Sequence, residues 1–237
     1  IGSSEPAALT TKRVTIRGNH ASASSTVDGS VYVVYSADGV AISSNTSDSC
    51  GATGSTLYHS IYVNSSENVS VTSNTSRGQK GGAGIHVHRE PDKANSQEVS
   101  IVGNTCTGST DYAGIRCNLV DGLTVVGNVV SENDEVGIYI SDSTGVSVCS
   151  NTLRDNNTAS ASGTTVGSAI RVVCCSACTV NGNVSRDTGT GGYGQGNFLL
   201  LDESTEVTVT GNTHKVHSGL TGYYLVSVVH ADSNNIV

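Results

Sequence analysis

Gly137-Ile-Tyr-Ile-Ser-Asp-Ser-Thr-Gly-Val-Ser-Val-Cys-Ser-Asn151 contains two short runs that alternate apolar and polar residues, parted by a turn. Such alternation marks strands with one buried face. The second half of the stretch recurs along the whole chain. It is first written as Val14-Thr-Ile-Arg-Gly-Asn19 and returns at Val40–Asn45, Val69–Asn74, Val99–Asn104, Leu123–Asn128, Val146–Asn151, Cys178–Asn183 and Val207–Asn212. The closing asparagines fall 26, 29, 30, 24, 23, 32 and 29 residues apart. A repeat of that length around a period-two apolar core is the mark of a solenoid in which each repeat is one coil.

Each position of the phrase has a physical demand. The residue before the asparagine is Gly or Ser in every copy, which suits a tight corner between closely approaching backbones. Asparagine tolerates a left-handed backbone, and stacked asparagines can pass amide hydrogen bonds from coil to coil. The asparagines are therefore read as structural. An upstream strand begins eight residues before the phrase at Ile61, Ile115, Ile138, Ile170 and Leu199, while Ile85-His-Val87 belongs to the same series with six extra residues around 89–97. A small residue usually precedes it, as at Gly84, Gly114, Gly137 and Ala169. Turns as short as Asp142-Ser-Thr-Gly145 leave no room for a crossover helix, so strand follows strand around a coil.

The stretch 137–151 resembles the right-handed parallel β-helix family almost position for position, on its G-I-x-I-x-x-S-x-x-V-x-V-x-x-N pattern. The expected fold is all-β: a right-handed single-stranded parallel β-helix of eight to nine coils, one domain over residues 1–237. At about 4.8 Å per stacked strand the rod would be about 40 Å long. The chain opens at Ile1 with no methionine and closes on Ile236-Val237, which reads as the start of another phrase. It is expected to be part of a longer chain with flanking domains, since solenoid ends need covering. Pectate-lyase-like enzymes, epimerases, phage tailspikes and adhesins share this fold, which is therefore nearly silent on activity.

Twenty acidic against twelve basic residues give a net charge of −8, which argues against nucleic acid as a general partner. No apolar run approaches membrane-spanning length, so no membrane insertion is expected. The absence of tryptophan excludes a sugar platform built on indole. Seven cysteines are an odd number, and their placement offers poor pairing logic, so most are expected to be free thiols. Cys117 and Cys178 fall on inward apolar positions, whereas Cys50 and Cys106 read as lying in variable loops. Cys174-Cys175-x-x-Cys178 does not supply a zinc ligand set, because neighbouring strand residues point to opposite faces and no second cluster is present. No metal site is expected. A calcium site from Asp111, Asp134 and Glu135 is a lesser candidate.

The middle residues of the upstream strands form one outward column, Tyr62, His86, Arg116, Tyr139, Arg171 and Leu200. The next outward column is Asn64, His88, Asn118, Ser141, Val173 and Asp202. The downstream phrase presents only small residues outward, among them Thr15, Ala41, Ser70, Thr124 and Thr179. A stripe of Arg, His and Tyr on an acidic protein suits an anionic sugar chain, because arginine meets carboxylates in bidentate fashion and tyrosine offers a flat face with a hydroxyl. The plain alternative is that outward positions must be polar anyway.

The β-helix resemblance implies more. Lyases and epimerases of this fold work on an exposed parallel sheet, so His86 or Tyr139 would be the acid or base and Arg116 would neutralise a uronate carboxylate, with Tyr62, His88, Asn118, Arg171 and Asp202 binding substrate. A carboxylate pair from Asp134 or Glu135 with Asp202 could serve glycoside hydrolysis. The insertion Arg89-Glu-Pro-Asp-Lys93 could wall the groove, and the glycine-rich run 189–196 reads as a loop without a phosphate-binding motif.

Three functional readings follow. The first is a polysaccharide-recognising part of a phage tailspike or similar surface protein, trimeric by that analogy. The second is a secreted lyase or epimerase for bacterial or plant polyuronate. The third is a non-catalytic stalk or adhesin. All imply an extracellular or virion-surface location and no cofactor beyond the calcium candidate.

Overall fold

The computed structural model describes residues 11–22, 29–52, 58–158, 167–188, 196–216 and 225–228. The glycine-rich residues 189–195 and the closing Ile236-Val237 lie outside them. The described residues contain strands and no helix. The strands form three sheets of eight, and each strand pairs with its equivalent in the coils before and after it. All pairings between these strands are parallel, as expected for a coil stacked on a coil. The architecture is a parallel β-helix.

The first sheet carries the repeated phrase, for example Val120–Val126 and Thr144–Cys149. The second sheet follows each corner asparagine with strands of three residues, such as Thr105–Thr107 and Val129–Ser131. The third, here the groove sheet, comprises Tyr32–Tyr35, Ile61–Asn64, Ile85–His88, Ile115–Asn118, Ile138–Ser141, Ser168–Val173, Asn197–Asp202 and Val226–Val228. The sequence reading had only two strands per coil. The missing sheet consists of three-residue strands whose single inward side chain is often polar, as at Ser47, Ser76 and Ser185, so no apolar alternation announces it. Cys106 is the inward residue of one such strand and so does not lie in a loop, whereas Cys50 follows the strand Thr46–Asp48 and is buried.

The inward residues of the three sheets build one continuous core. Val71, Ile101, Val125 and Val148 stack from the first sheet, against Val87, Ile115, Cys117 and Ile140 from the groove sheet. All of these are essentially solvent-free.

The corner asparagines form the expected ladder. From Asn19 to Asn212, each backbone N–H donates to the next Asn Oδ1 at 2.9 Å, and each Nδ2 donates to the same oxygen at 2.9–3.0 Å. The left-handed backbone belongs to the residue before the asparagine. Ser44, Ser73 and Ser150 have φ of 55°, and Gly103, Gly127 and Gly182 have 63–65°. That corrects the expectation for asparagine and explains the Gly/Ser choice, since small residues take this conformation at least cost.

Gly114 marks the entry to a groove strand. A Cβ there would lie 2.5 Å from Val130 Cγ1 and 2.7 Å from Asn133 Nδ2, so the backbone closes on the corner only without a side chain.

Candidate functional site

Strand pairing places the two sequence-derived columns in register. Tyr62 pairs with His86, His86 with Arg116, Arg116 with Tyr139, Tyr139 with Arg171 and Arg171 with Leu200. Beside them, Asn64 pairs with His88, Asn118 with Ser141 and Val173 with Asp202. The facing column of the first sheet, Thr124, Ser147 and Thr179, is as plain as its sequence.

The column is organised by stacking. The Arg116 guanidinium lies 4.6 Å from the ring centroid of Tyr139 and 4.7 Å from that of Tyr112. Arg171 lies 5.7 Å from the same Tyr139 ring. Two cations therefore share one phenol, which aligns them along the rod. Arg116 Nε donates to Asn118 Oδ1 at 2.9 Å, which fixes the fork. Arg171 contacts Asp202 at 3.8 Å, while its buried Nε donates to no acceptor among the described residues.

Two hollows meet at Arg116. One, of about 490 Å³, is lined by Arg116, Glu135, Tyr139, Arg171, Leu200 and Asp202. The other, of about 600 Å³, is lined by Tyr35, His59, Tyr62, His86, His88, Tyr112, Asn118 and Asp142, again with Arg116. Both volumes lie in the range of small-molecule sites. Glu135 and Asp202, which the sequence placed two coils apart at opposite strand ends, line the same hollow. Glu135 is exposed at the rim; desolvation of its inner side raises its carboxyl above the ordinary value, although Arg116 and Arg171 pull the other way.

His86 departs from expectation. It occupies an outward position, yet only 7% of it is exposed. Its ring lies 4.4 Å from that of His59 and 6.0 Å from that of Tyr112, and both its nitrogens are engaged. Burial first, then His59 and Arg116, push its pKa well below the usual imidazole value. His86 thus sits in the floor of the hollow with both ring nitrogens taken by neighbouring side chains. His88 stacks on it at 5.4 Å, is half-buried, and its buried Nδ1 makes no hydrogen bond among the described residues. Desolvation, then Arg116 and Arg89, lower its pKa, so its imidazole is neutral.

Three groups of the site were missed in sequence or given little weight: His59, Tyr112 and Glu135. All precede a groove strand, in corner segments with no periodic signal. The insertion after His88 does reach the groove, because Glu90 N–H donates to Asn64 Oδ1 at 3.0 Å on the neighbouring coil.

The calcium candidate does not assemble. Asp134 accepts from Asp111 N–H at 3.0 Å and from the Thr158 hydroxyl at 2.6 Å, so both its oxygens are used internally. Among the described residues, no three His, Cys, Asp or Glu side chains are placed to share an ion. All seven cysteines are free thiols, in keeping with the sequence expectation. No helix among the described residues is long and apolar enough to cross a membrane.

The fold is shared with enzyme modules from Azotobacter vinelandii. The mannuronan C-5 epimerase AlgE6 A-module superposes with a TM-score of 0.77 at 14% identity, covering 96% of this chain and 57% of that one. The mannuronan C-5 epimerase AlgE4 A-module gives 0.65 at 13% identity, covering 96% and 59%. The chain thus spans less than two thirds of the length of either. A comparison with curated proteins finds no match. The family described as periplasmic copper-binding protein (NosD) matches residues 7–166. The described residues do not fit copper: the nearest imidazole pair, His59 and His86, turns its facing nitrogens on each other at 2.9 Å, leaving no lone pairs converging on a metal. The match covers about two thirds of the chain and coincides with the coils described here, so the chain belongs to the NosD family.

Proposed function

We propose that the groove sheet binds an anionic, uronate-containing polysaccharide and moves the proton next to the sugar carboxylate, as a lyase or epimerase does. The observation that carries this reading is the pair of guanidiniums, Arg116 and Arg171, on one Tyr139 ring, with the buried Arg171 Nε lacking an acceptor among the described residues. A sugar carboxylate is the group that such a pair accommodates. When the proton alpha to that carboxylate leaves, negative charge spreads onto the carboxyl oxygens, and fixed cations stabilise it. Tyr139 lies between the cations as acid or base. His88, neutral and with its Nδ1 unbonded among the described residues, takes the base role that the sequence suggested for His86. Tyr62, Asn118 and Asp202 complete the walls. The similarity to mannuronan epimerases supports the substrate class, and the family description supports a place outside the cytoplasm.

Glu135 and Asp202 on the same hollow favour a second reading, glycoside hydrolysis with Glu135 as the protonated acid. A tailspike would use the same groove to hold its polysaccharide without turning it over. Incubation with alginate, pectate and bacterial capsule, followed by NMR of the products, separates these. Unsaturated ends or inverted uronates support proton transfer, and new saturated reducing ends support hydrolysis. Binding without turnover supports a receptor. No binding of any polyuronate would sink the whole reading.

A further inference from the structure

The two hollows differ in their cations, Arg116 with Arg171 in one and Arg116 alone in the other, and hydrogen bonding keeps the histidines of the second from adding to them. Ala83 N–H donates to His59 Nδ1 at 3.0 Å, so that nitrogen carries no proton. The proton of His59 therefore sits on Nε2, which donates to His86 Nδ1 at 2.9 Å. His86 in turn holds its proton on Nε2 and donates to Asn118 Oδ1 at 3.2 Å, the same oxygen that accepts from Arg116 Nε. Each step leaves the next ring one proton, so both imidazoles are neutral and share one tautomer. Burial acts the same way, lowering His59 to about 3.

Besides these imidazoles and Arg116, the larger hollow is walled chiefly by the phenols Tyr35, Tyr62 and Tyr112, with His88 and Asp142. Tyr62 stacks on His59 at 5.2 Å and meets Tyr35 edge-on at 5.6 Å. Its oxygen accepts from Asn64 Nδ2 at 3.1 Å, leaving the phenolic hydrogen to donate to a ligand hydroxyl. Asp142 lines the hollow, and Glu90 is near enough to help raise Tyr62, which burial and Tyr35 chiefly push up to about 12. A second sugar carboxylate here would meet one lining cation among the described residues, Arg116, which the other hollow shares, and would face Asp142. An uncharged sugar ring would find aromatic faces and a hydroxyl donor.

We propose that the tyrosine–histidine hollow is a subsite for an uncharged sugar unit next to the carboxylate-bearing unit held by Arg116 and Arg171. The ligand is then a mixed polymer of uronate and neutral sugars, not a homopolyuronate. This rests on the reading that the arginine hollow takes a sugar carboxylate.

The test is calorimetric binding of the whole chain to a panel of hexasaccharides: homouronates, uncharged oligomers, and mixed oligomers alternating uronate with neutral or N-acetylated sugars. At least one mixed hexamer should bind about tenfold tighter than every homouronate. Tyr62→Ala, with its fold checked by circular dichroism, should abolish that advantage, while Arg171→Ala should weaken mixed and homouronate oligomers alike. Homouronates binding as tightly as any mixed oligomer would overturn the subsite while leaving the anionic groove intact. A mixed-oligomer advantage that survives Tyr62→Ala would overturn it too. Indifference of all binding to Arg171→Ala would overturn the groove reading and the subsite together.

Discussion

His59 Nε2 and His86 Nδ1 are 2.9 Å apart, so two neighbouring coils are joined through a pair of imidazoles that are both uncharged. The unfolded chain protonates these rings below about pH 6.5. In the folded chain burial, then Arg116 and His88, hold His59 neutral down to about 3. Between those limits the unfolded state binds more protons, so stability falls as pH falls and is unaffected above the window. The expected slope is at most about 1.4 kcal/mol per pH unit for each ring. Urea unfolding between pH 7 and 4 measures it, and His59→Gln should flatten the curve.

Asn128→Ala should be among the costliest single changes. Asn128 Oδ1 accepts from Asn104 N and Nδ2, and its Nδ2 donates to Ile101 O and Asn151 Oδ1. With the residue fully buried, the orphaned groups should cost about 3 kcal/mol or more. Asn19→Ala, at the exposed end of the ladder, should cost less than half as much in the same denaturant titration.

Val125→Ala should lose about 1–3 kcal/mol, because Val125 is solvent-free between Ile101 and Val148. Gly114→Ala should destabilise by a comparable amount, since the added methyl collides with the Val130 side chain and the Asn133 amide. Thermal unfolding followed by far-ultraviolet circular dichroism reports both.

Arg116→Ala should weaken binding of an anionic polysaccharide by about 1–3 kcal/mol, the range for charge-assisted hydrogen bonds. The loss should shrink in high salt, where screening has already weakened the wild-type contact. Thr124→Ala and Thr179→Ala, on the first sheet, should bind as wild type. Equal losses on both faces would mean that the arginine column is ordinary surface.

Thiol titration of denatured, unreduced protein should count seven reactive groups, since all seven cysteines are free. In the native protein Cys106 and Cys117 should stay silent: both are buried in the core, and desolvation pushes Cys106 up to about 12 and Cys117 higher still. Exposed Cys174 and half-buried Cys149 should be the first to react.

The coil, the core and both columns were legible in the sequence because strand alternation assigns every residue to a face and stacking then fixes its neighbours. Arg116 beside Tyr139 required nothing more. That His86 lies underneath was not legible, because the groups covering it, His59 and Tyr112, come from aperiodic corners. The three-residue sheet escaped for a related reason, since one inward serine per coil is no pattern.

The asparagine ladder keeps every corner in line although successive asparagines are separated by 23 to 32 residues. Extra residues therefore bulge outward at the rim and leave the columns where they are, as the insertion between His88 and Ser96 already shows. Coil length can therefore vary at the rim without breaking the register of the sheets, and a duplicated coil would lengthen the groove sheet by about 4.8 Å.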